Sequence, residues 1–328
     1  MATESSKAHR TPVQEVTAAE RATAEVIRLR EEEASMAGLS LFSLALRRLR
    51  RDYLTLIAMT MLILFALLAL LAPVISEALD VSYRKTDVSI AFEKIGAPGH
   101  VLGTDDLGRD ELSRLLYGAR VSLSIALSAA YLSLLIGLSV GVVAGFYQGG
   151  KFWFVDELIL WFVTTLNSVP FLFLLLIISA MLKPTVMSLV LILAFLSWTS
   201  TMRFVRGETL ALREREYIVS ARAIGASDAR IMFIHILPNI FSVIMINLAS
   251  DIGGFILIES ALSFLNLGVR PPTPSWGNML TNAQTFFTKG THLVIFPGLA
   301  IVITVLCLFL IGDGLRDAFD PQAAKKTV

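Results

Sequence analysis

Residues 53–75 read YLTLIAMTMLILFALLALLAPVI, a run without one charged side chain. At 1.5 Å per residue such a helix crosses a hydrocarbon core roughly 30 Å thick, which takes about 20 apolar residues. Working outward, five further runs are long and mostly apolar, at about 121–146, 157–182, 186–205, 239–262 and 291–312. The whole composition agrees. Of 328 residues, 55% are hydrophobic and only 17% charged, below the quarter or so that a soluble domain carries. The expected fold is an all-α polytopic membrane protein with six transmembrane helices, one N-terminal anchor followed by a five-helix core. A formal net charge of +1 removes a global electrostatic case for binding nucleic acid. The single cysteine, Cys307, has no partner for an internal disulfide, and His9, His100, His235 and His292 are too scattered to suggest a metal cluster.

Four segments follow. Residues 1–45 form a polar cytoplasmic tail and 46–120 the anchor with a long extracytoplasmic loop. Residues 121–318 form the core, and 319–328 a second cytoplasmic tail. The first span is too long for a signal-peptide core, and no clean cleavage site follows it, so it reads as a retained anchor. Arg47, Arg48, Arg50 and Arg51 crowd its start and place the N-terminus inside. Six crossings return the C-terminus to the same side, beside Arg316, Lys325 and Lys326. In the outer loop, Thr104 is an expected N-cap, and Leu112, Leu115 and Leu116 recur at helical spacing. That pattern predicts an interfacial amphipathic helix leading into span two.

Four features inside the core have to be weighed against their contexts. Gly145 to Phe152 nearly spells a phosphate-cradling loop, but Phe152 stands where the hydroxyl that holds Mg²⁺ is needed. Gly137-Leu-Ser139-Val-Gly141 matches a nucleophile elbow yet lies within a lipid-embedded helix. Read together, Gly137, Gly141 and Gly145 recur every four residues, with Ser133 extending the row. A strip without side chains lets another helix approach closely, so these glycines are expected to pack helices. Asp251 lies in mid-span, one turn after Asn247, and is either a pathway residue or a buried acid satisfied by a neighbour. Glu259, nearer the outer end, reads as structural or as part of an external gate.

The cytoplasmic segment 206–238, RGETLALREREYIVSARAIGASDARIMFIHILP, is long and patterned. Tyr217, Ile218, Ala221 and Ile224 fall on one helical stripe, and Gly225 follows where a left-handed C-terminal turn needs it. Ser227 then caps a second helix with Asp228 in its first turn, and Pro238 is expected to close it. Such a helix–turn–helix either lies on the headgroups as a connector or docks a protein partner.

The run from Glu216 to Ser227, followed by His235-Ile-Leu-Pro-Asn239, resembles the EAA loop of bacterial ABC importer permeases. The acid stands at Glu216, as in the dipeptide/oligopeptide class, while Val219 and Ser220 occupy the Glu-Ala positions of the general pattern. The resemblance extends through Leu102-Gly-Thr-Asp-Asp-Leu-Gly-Arg-Asp110, Leu262-Ser-Phe-Leu-Asn-Leu-Gly268 and Pro271-Pro-Thr-Pro-Ser-Trp-Gly277. It covers nearly everything after residue 40 and is closest to the C-type permease of that class. The resemblance implies that this loop is a coupling helix seated in a groove of a cytoplasmic ATPase. Glu216, Tyr217, Ala221, Gly225, Ala226, Leu237 and Pro238 would make or shape that contact. It further implies a homologous second permease, two ATP-binding subunits and an extracytoplasmic binding protein, in a bacterial cytoplasmic membrane. This chain would then bind no cofactor, with ATP and Mg on the partner subunits. Rival readings are a proton-driven carrier using Asp251 as relay, an intramembrane hydrolase using Ser139, and an assembly or receptor subunit without a pathway.

Overall fold

A computed structural model describes residues 41–150, 152–182 and 185–319. The tail at 1–40, Lys151, Lys183, Pro184 and residues 320–328 lie outside the described residues. Two compact units are present. In the smaller, whose described residues are 41–51 and 318–319, α1 (Leu41–Leu49) is held where Arg48 Nη1 donates to the Ala318 carbonyl at 3.3 Å.

The larger unit, Asp52–Asp317, is helical, and among the described residues it has no strand. Its first helix, α2 (Tyr53–Leu70), starts at Asp52, whose carboxylate accepts from the backbone N–H of Leu54 and Thr55. The Thr55 hydroxyl also donates to it and holds that carboxyl below its ordinary range. Most of α2 faces away from the protein, and its buried positions are small ones, Thr55, Ala58 and Ala69. Pro73 cannot donate to the preceding turn, so the span continues after a break at Leu71 as α3 (Ala72–Ala78).

Five continuous helices are long and apolar enough to cross a membrane: α2, α4 (Glu111–Tyr147), α7 (Val186–Arg213), the span portion Val243–Phe264 of α10 (Leu237–Phe264), and α13 (His292–Phe319). The third expected span departs from the reading of 157–182 as one rod. It is two helices, α5 (Trp153–Asn167) and α6 (Phe171–Met181), bent by 76° at Ser168-Val169-Pro170. Pro170 lacks an N–H and keeps Val169 out of the helical region, so the ladder stops there. Counted as one broken crossing, the pair completes six.

Two other expectations are corrected. No separate interfacial helix begins at Thr104. Helix α4 starts at Asp110, whose Oδ1 accepts from Ser113 N at 2.6 Å, and runs unbroken into the membrane for 37 residues. Thr104 is instead buried in the outer loop, donating to the Ile90 carbonyl and accepting from Glu93 N. Nor does Pro238 close the helix that Ser227 begins. After Ser227 caps α9 (Asp228–Arg230), a π-helical stretch, Ile231–Ile236, leads directly into α10 with Pro238 in its first turn. The Leu237 N–H reaches back to the Met232 carbonyl, one residue further than in an α-helix. This widened turn accommodates a ring that would clash with the carbonyl four residues back.

The core is organised by α4 against α7, which run side by side in the same direction. Cβ atoms added at Gly137, Gly141 and Gly145 would lie 2.7 Å from Thr201 Cβ, the Met202 carbonyl oxygen and the Arg206 carbonyl oxygen, respectively. The glycine row is therefore the contact line along which backbone meets backbone, an arrangement suited to lipid, where no hydrophobic force drives helices together. Apolar side chains of α4, α6, α7, α10 and α13 close the core around Ile125, Leu189, Leu193 and Ile256.

Candidate functional site

Two regions combine accessibility with chemistry. The first is the segment between α7 and α10. Helix α8 (Glu216–Ala223) ends in a Schellman turn: Gly225 N donates to the Arg222 carbonyl and Ala226 N to the Ala221 carbonyl, each at 3.0 Å. Gly225 has φ = +88°, a conformation that a β-carbon penalises. The apolar stripe divides. Ile218 is buried in a cluster with this chain's own Val142, Phe146, Val205, Ile231 and Ile236, and Ala221 is buried as well. Ile224 is 87% exposed, and Tyr217, Val219 and Glu216 also face outward. Ala221 therefore spends its small size on seating α8 against the bundle, and the outward surface is carried by its neighbours. Ala226 and Leu237 are half-buried, and Pro238 is exposed.

The second region lies at mid-depth. Asp251 sits where two cavities adjoin, one of about 320 Å³ toward Ile258 and one of about 240 Å³ toward Ile244. Ser200, Ser250 and Asp251 line both. The first cavity reaches Asn167 at the broken crossing, and the second reaches Asn247. Polar side chains at this depth are costly and persist where they face water or a bundle interior. Asp251 is exposed where these cavities meet.

Comparison with known proteins now bears on the whole chain. Residues 117–325 match the family described as binding-protein-dependent transport system inner membrane component. Residues 40–92 match the N-terminal TM domain of oligopeptide transport permease C. The chain belongs to this permease family. Among curated relatives, the dipeptide transport system permease protein DppC of Alkalihalophilus pseudofirmus is 36% identical over 85% of this chain and 89% of its own. The oligopeptide transport system permease protein OppC of Bacillus subtilis is 34% identical over 90% and 94%, respectively. The glutathione transport system permease protein GsiD of Pectobacterium atrosepticum is 41% identical over 68% and 73%. Among solved structures, a chain of the inward-facing MetNI methionine ABC transporter aligns over 62% of this chain and 96% of its own, with 19% identity and a TM-score of 0.46.

The permease is thus a multi-pass transport component of the C-type in the dipeptide/oligopeptide class. Its loop between α3 and α4 forms a clamp around Asp105. Asp105, fully buried, accepts on Oδ1 from the backbone N–H of Leu107 and Arg109 at 2.9 Å each. Its Oδ2 accepts from Arg109 Nε at 2.7 Å and from Arg114 Nη1. Asp110, besides capping α4, places Oδ2 2.9 Å from His100 Nδ1. The loop is thereby fastened to the start of α4. Further along, Glu259 is buried and accepts from Ser263 Oγ at 2.7 Å and Ser122 Oγ at 3.0 Å, while Trp276 N donates to Ser122 Oγ. It ties α10, α4 and the Pro271–Gly277 segment together, which favours the structural reading of that acid.

The permease's remaining motif matches have ordinary uses. The Ser139 hydroxyl donates to its own helix at Leu135 O, 2.8 Å away. At the near-phosphate-loop, Arg213 Nη1 donates to the carbonyls of Gly145, Phe146 and Gln148, capping the α4 C-terminus with a cation. Spacing along the chain gave no sign of the Arg206–Asp156 fork, which joins α7 to α5 through bonds of 2.6 and 2.7 Å. Asp156→Ala is expected to lower stability by about 2 kcal/mol, because a half-buried guanidinium loses a bidentate partner. Arg206→Lys, keeping charge without the fork, should cost less. Thermal unfolding of the purified complex in detergent checks both.

Proposed function

We propose that the permease forms half of the translocation pathway of an ATP-driven peptide importer and works by alternating access. Its partners are a homologous permease, two cytoplasmic ATP-binding subunits that hold ATP and Mg, and an extracytoplasmic binding protein that delivers the solute. The chain itself catalyses nothing and binds no cofactor. Both termini lie in the cytoplasm of a bacterium, and the helix–turn–helix at 216–236 projects from the same side of its cytoplasmic membrane.

One observation carries this reading. The cytoplasmic element is seated on the bundle through Ile218 and Ala221, and its second arm continues without interruption into α10, the helix bearing Asp251. Twenty residues of continuous helix, about 30 Å at the α-helical rise, separate Ile231 from Asp251. A partner gripping Ile224 and Tyr217 can therefore tilt the cavity wall as a lever. Coupling requires such an element, biased from both ends. The relatives named for dipeptide and oligopeptide transport support peptides as cargo; the relative named for glutathione transport supports a broader choice of small solutes within the same class.

Gly225→Val tests the lever. Forcing a β-branched residue to φ = +88° costs about 1–3 kcal/mol, enough to remodel the turn. We expect ATP-dependent uptake by the reconstituted importer to fall about tenfold or more, a factor that 1.4 kcal/mol supplies, and solute-stimulated ATP hydrolysis to lose its dependence on solute. Native uptake with native stimulation would reject the coupling role. Uptake that survived removal of the ATP-binding subunits and collapsed with the proton gradient would favour a proton-driven carrier instead.

A further inference from the structure

The two mid-depth cavities share one acid and have no basic side chain among their lining residues. Their polar lining is neutral, made of serine and threonine hydroxyls and the amides of Asn167 and Asn247, with Asp251 as the single ionisable group. Among the described residues, no Lys or Arg lines either cavity. On α7, Arg203 is exposed one turn after Ser200 but lines neither cavity, and Arg206 is engaged by Asp156. Asn247 and Asp251 are four residues apart on α10, both exposed, so they present one face.

A carboxylate at the junction of two small polar cavities sets their electrostatic character, because bulk solvent screens it poorly there. Pores select cations by placing acidic side chains in this way. A zwitterionic peptide brings an ammonium and a carboxylate that largely offset each other. An extra cationic side chain meets Asp251 favourably, whereas an extra acidic one meets like charge. We propose that Asp251 is a charge-selecting station on the path, making this permease favour peptides of net positive charge, with lysyl or arginyl side chains. This inference rests on the peptide-import reading above.

The test uses the complete importer in liposomes, with its own ATP-binding subunits and binding protein, and three labelled dipeptides: Lys-Ala, Ala-Ala and Glu-Ala. One binding protein delivers all three, so its own preference cancels when each variant's rate is divided by the native rate. In Asp251→Asn the Lys-Ala to Glu-Ala uptake ratio is expected to fall about tenfold, the scale of losing one charge-assisted contact. Asp251→Glu should restore it, and Asn247→Asp, which adds a second carboxylate to the same exposed face, should raise it. The Asn247 variant keeps the test decisive if Asp251→Asn fails to assemble. Equal changes for all three peptides, or a ratio that ignores both positions, would overturn the station. Should the native complex hydrolyse ATP on demand yet import none of the three, the peptide reading itself falls, and the substrate class assigned to the cavity falls with it.

Discussion

Asp105→Ala is expected to cost the folded permease about 3–5 kcal/mol, the penalty for leaving buried charge without its counter-ion. Asp105 is fully buried and serves four donors, two backbone N–H groups and two guanidinium groups. Arg109 and Arg114 are themselves mostly buried, so neither can turn to water when the carboxylate is removed. Asp105→Asn keeps one acceptor oxygen and removes the charge, and should fall between native and alanine. Changing Asp105, Arg109 and Arg114 together to apolar residues should recover part of the loss, since a buried charge cluster contributes less net stability than breaking one partner out of it removes. Thermal unfolding of the detergent-solubilised complex orders the variants. An alanine variant that melts with the native protein would mean that the outer loop is not fastened to α4 in this way.

The clamp also shows where sequence reading stopped. Composition and long apolar runs located the six candidate crossings, because the cost of an unpaired polar group in lipid leaves few alternatives to an apolar helix. The left-handed turn at Gly225 was legible for an equally local reason: one residue type at the end of one stripe. Hydropathy nevertheless merged α5 and α6, because it sums transfer preferences and ignores the missing N–H of Pro170, although that proline stood in plain view. The stripe Tyr217, Ile218, Ala221, Ile224 was found, but which part faces inward depends on Val142 and Phe146, contributed by a distant helix. The same limit hid Arg206–Asp156, fifty positions apart, and the several duties of Asp105, a residue that read only as part of a motif. Local backbone rules are written in neighbouring letters; ion pairs and burial are written in the packing of helices that meet only after folding.

The second large effect is expected at the glycine row. A Cβ at Gly141 would stand 2.7 Å from the Met202 carbonyl oxygen and 2.8 Å from Val205 Cβ, and the first of these is backbone that no rotamer change can move. Gly141→Leu therefore has to separate α4 from α7 rather than repack around the new side chain. Overpacking costs about 1–3 kcal/mol and occasionally more, and here the separation also strips contact from Gly137 and Gly145, so we expect about 3 kcal/mol and a large loss of assembled complex. Lipid offers no compensating hydrophobic gain for a looser pair. Helix α7 also brings Ser200 to the cavities and Arg206 to Asp156, so a surviving population should transport poorly. Gly207, on the same helix with open space around its missing Cβ, is the control: Gly207→Ala should be neutral or stabilise by about 0.5–1 kcal/mol through helix propensity. Melting curves for the two variants in one detergent separate a response to helix contact from a general intolerance of substitution in α4 and α7. Equal melting of Gly141→Leu and native protein would mean that these helices do not meet along the glycines.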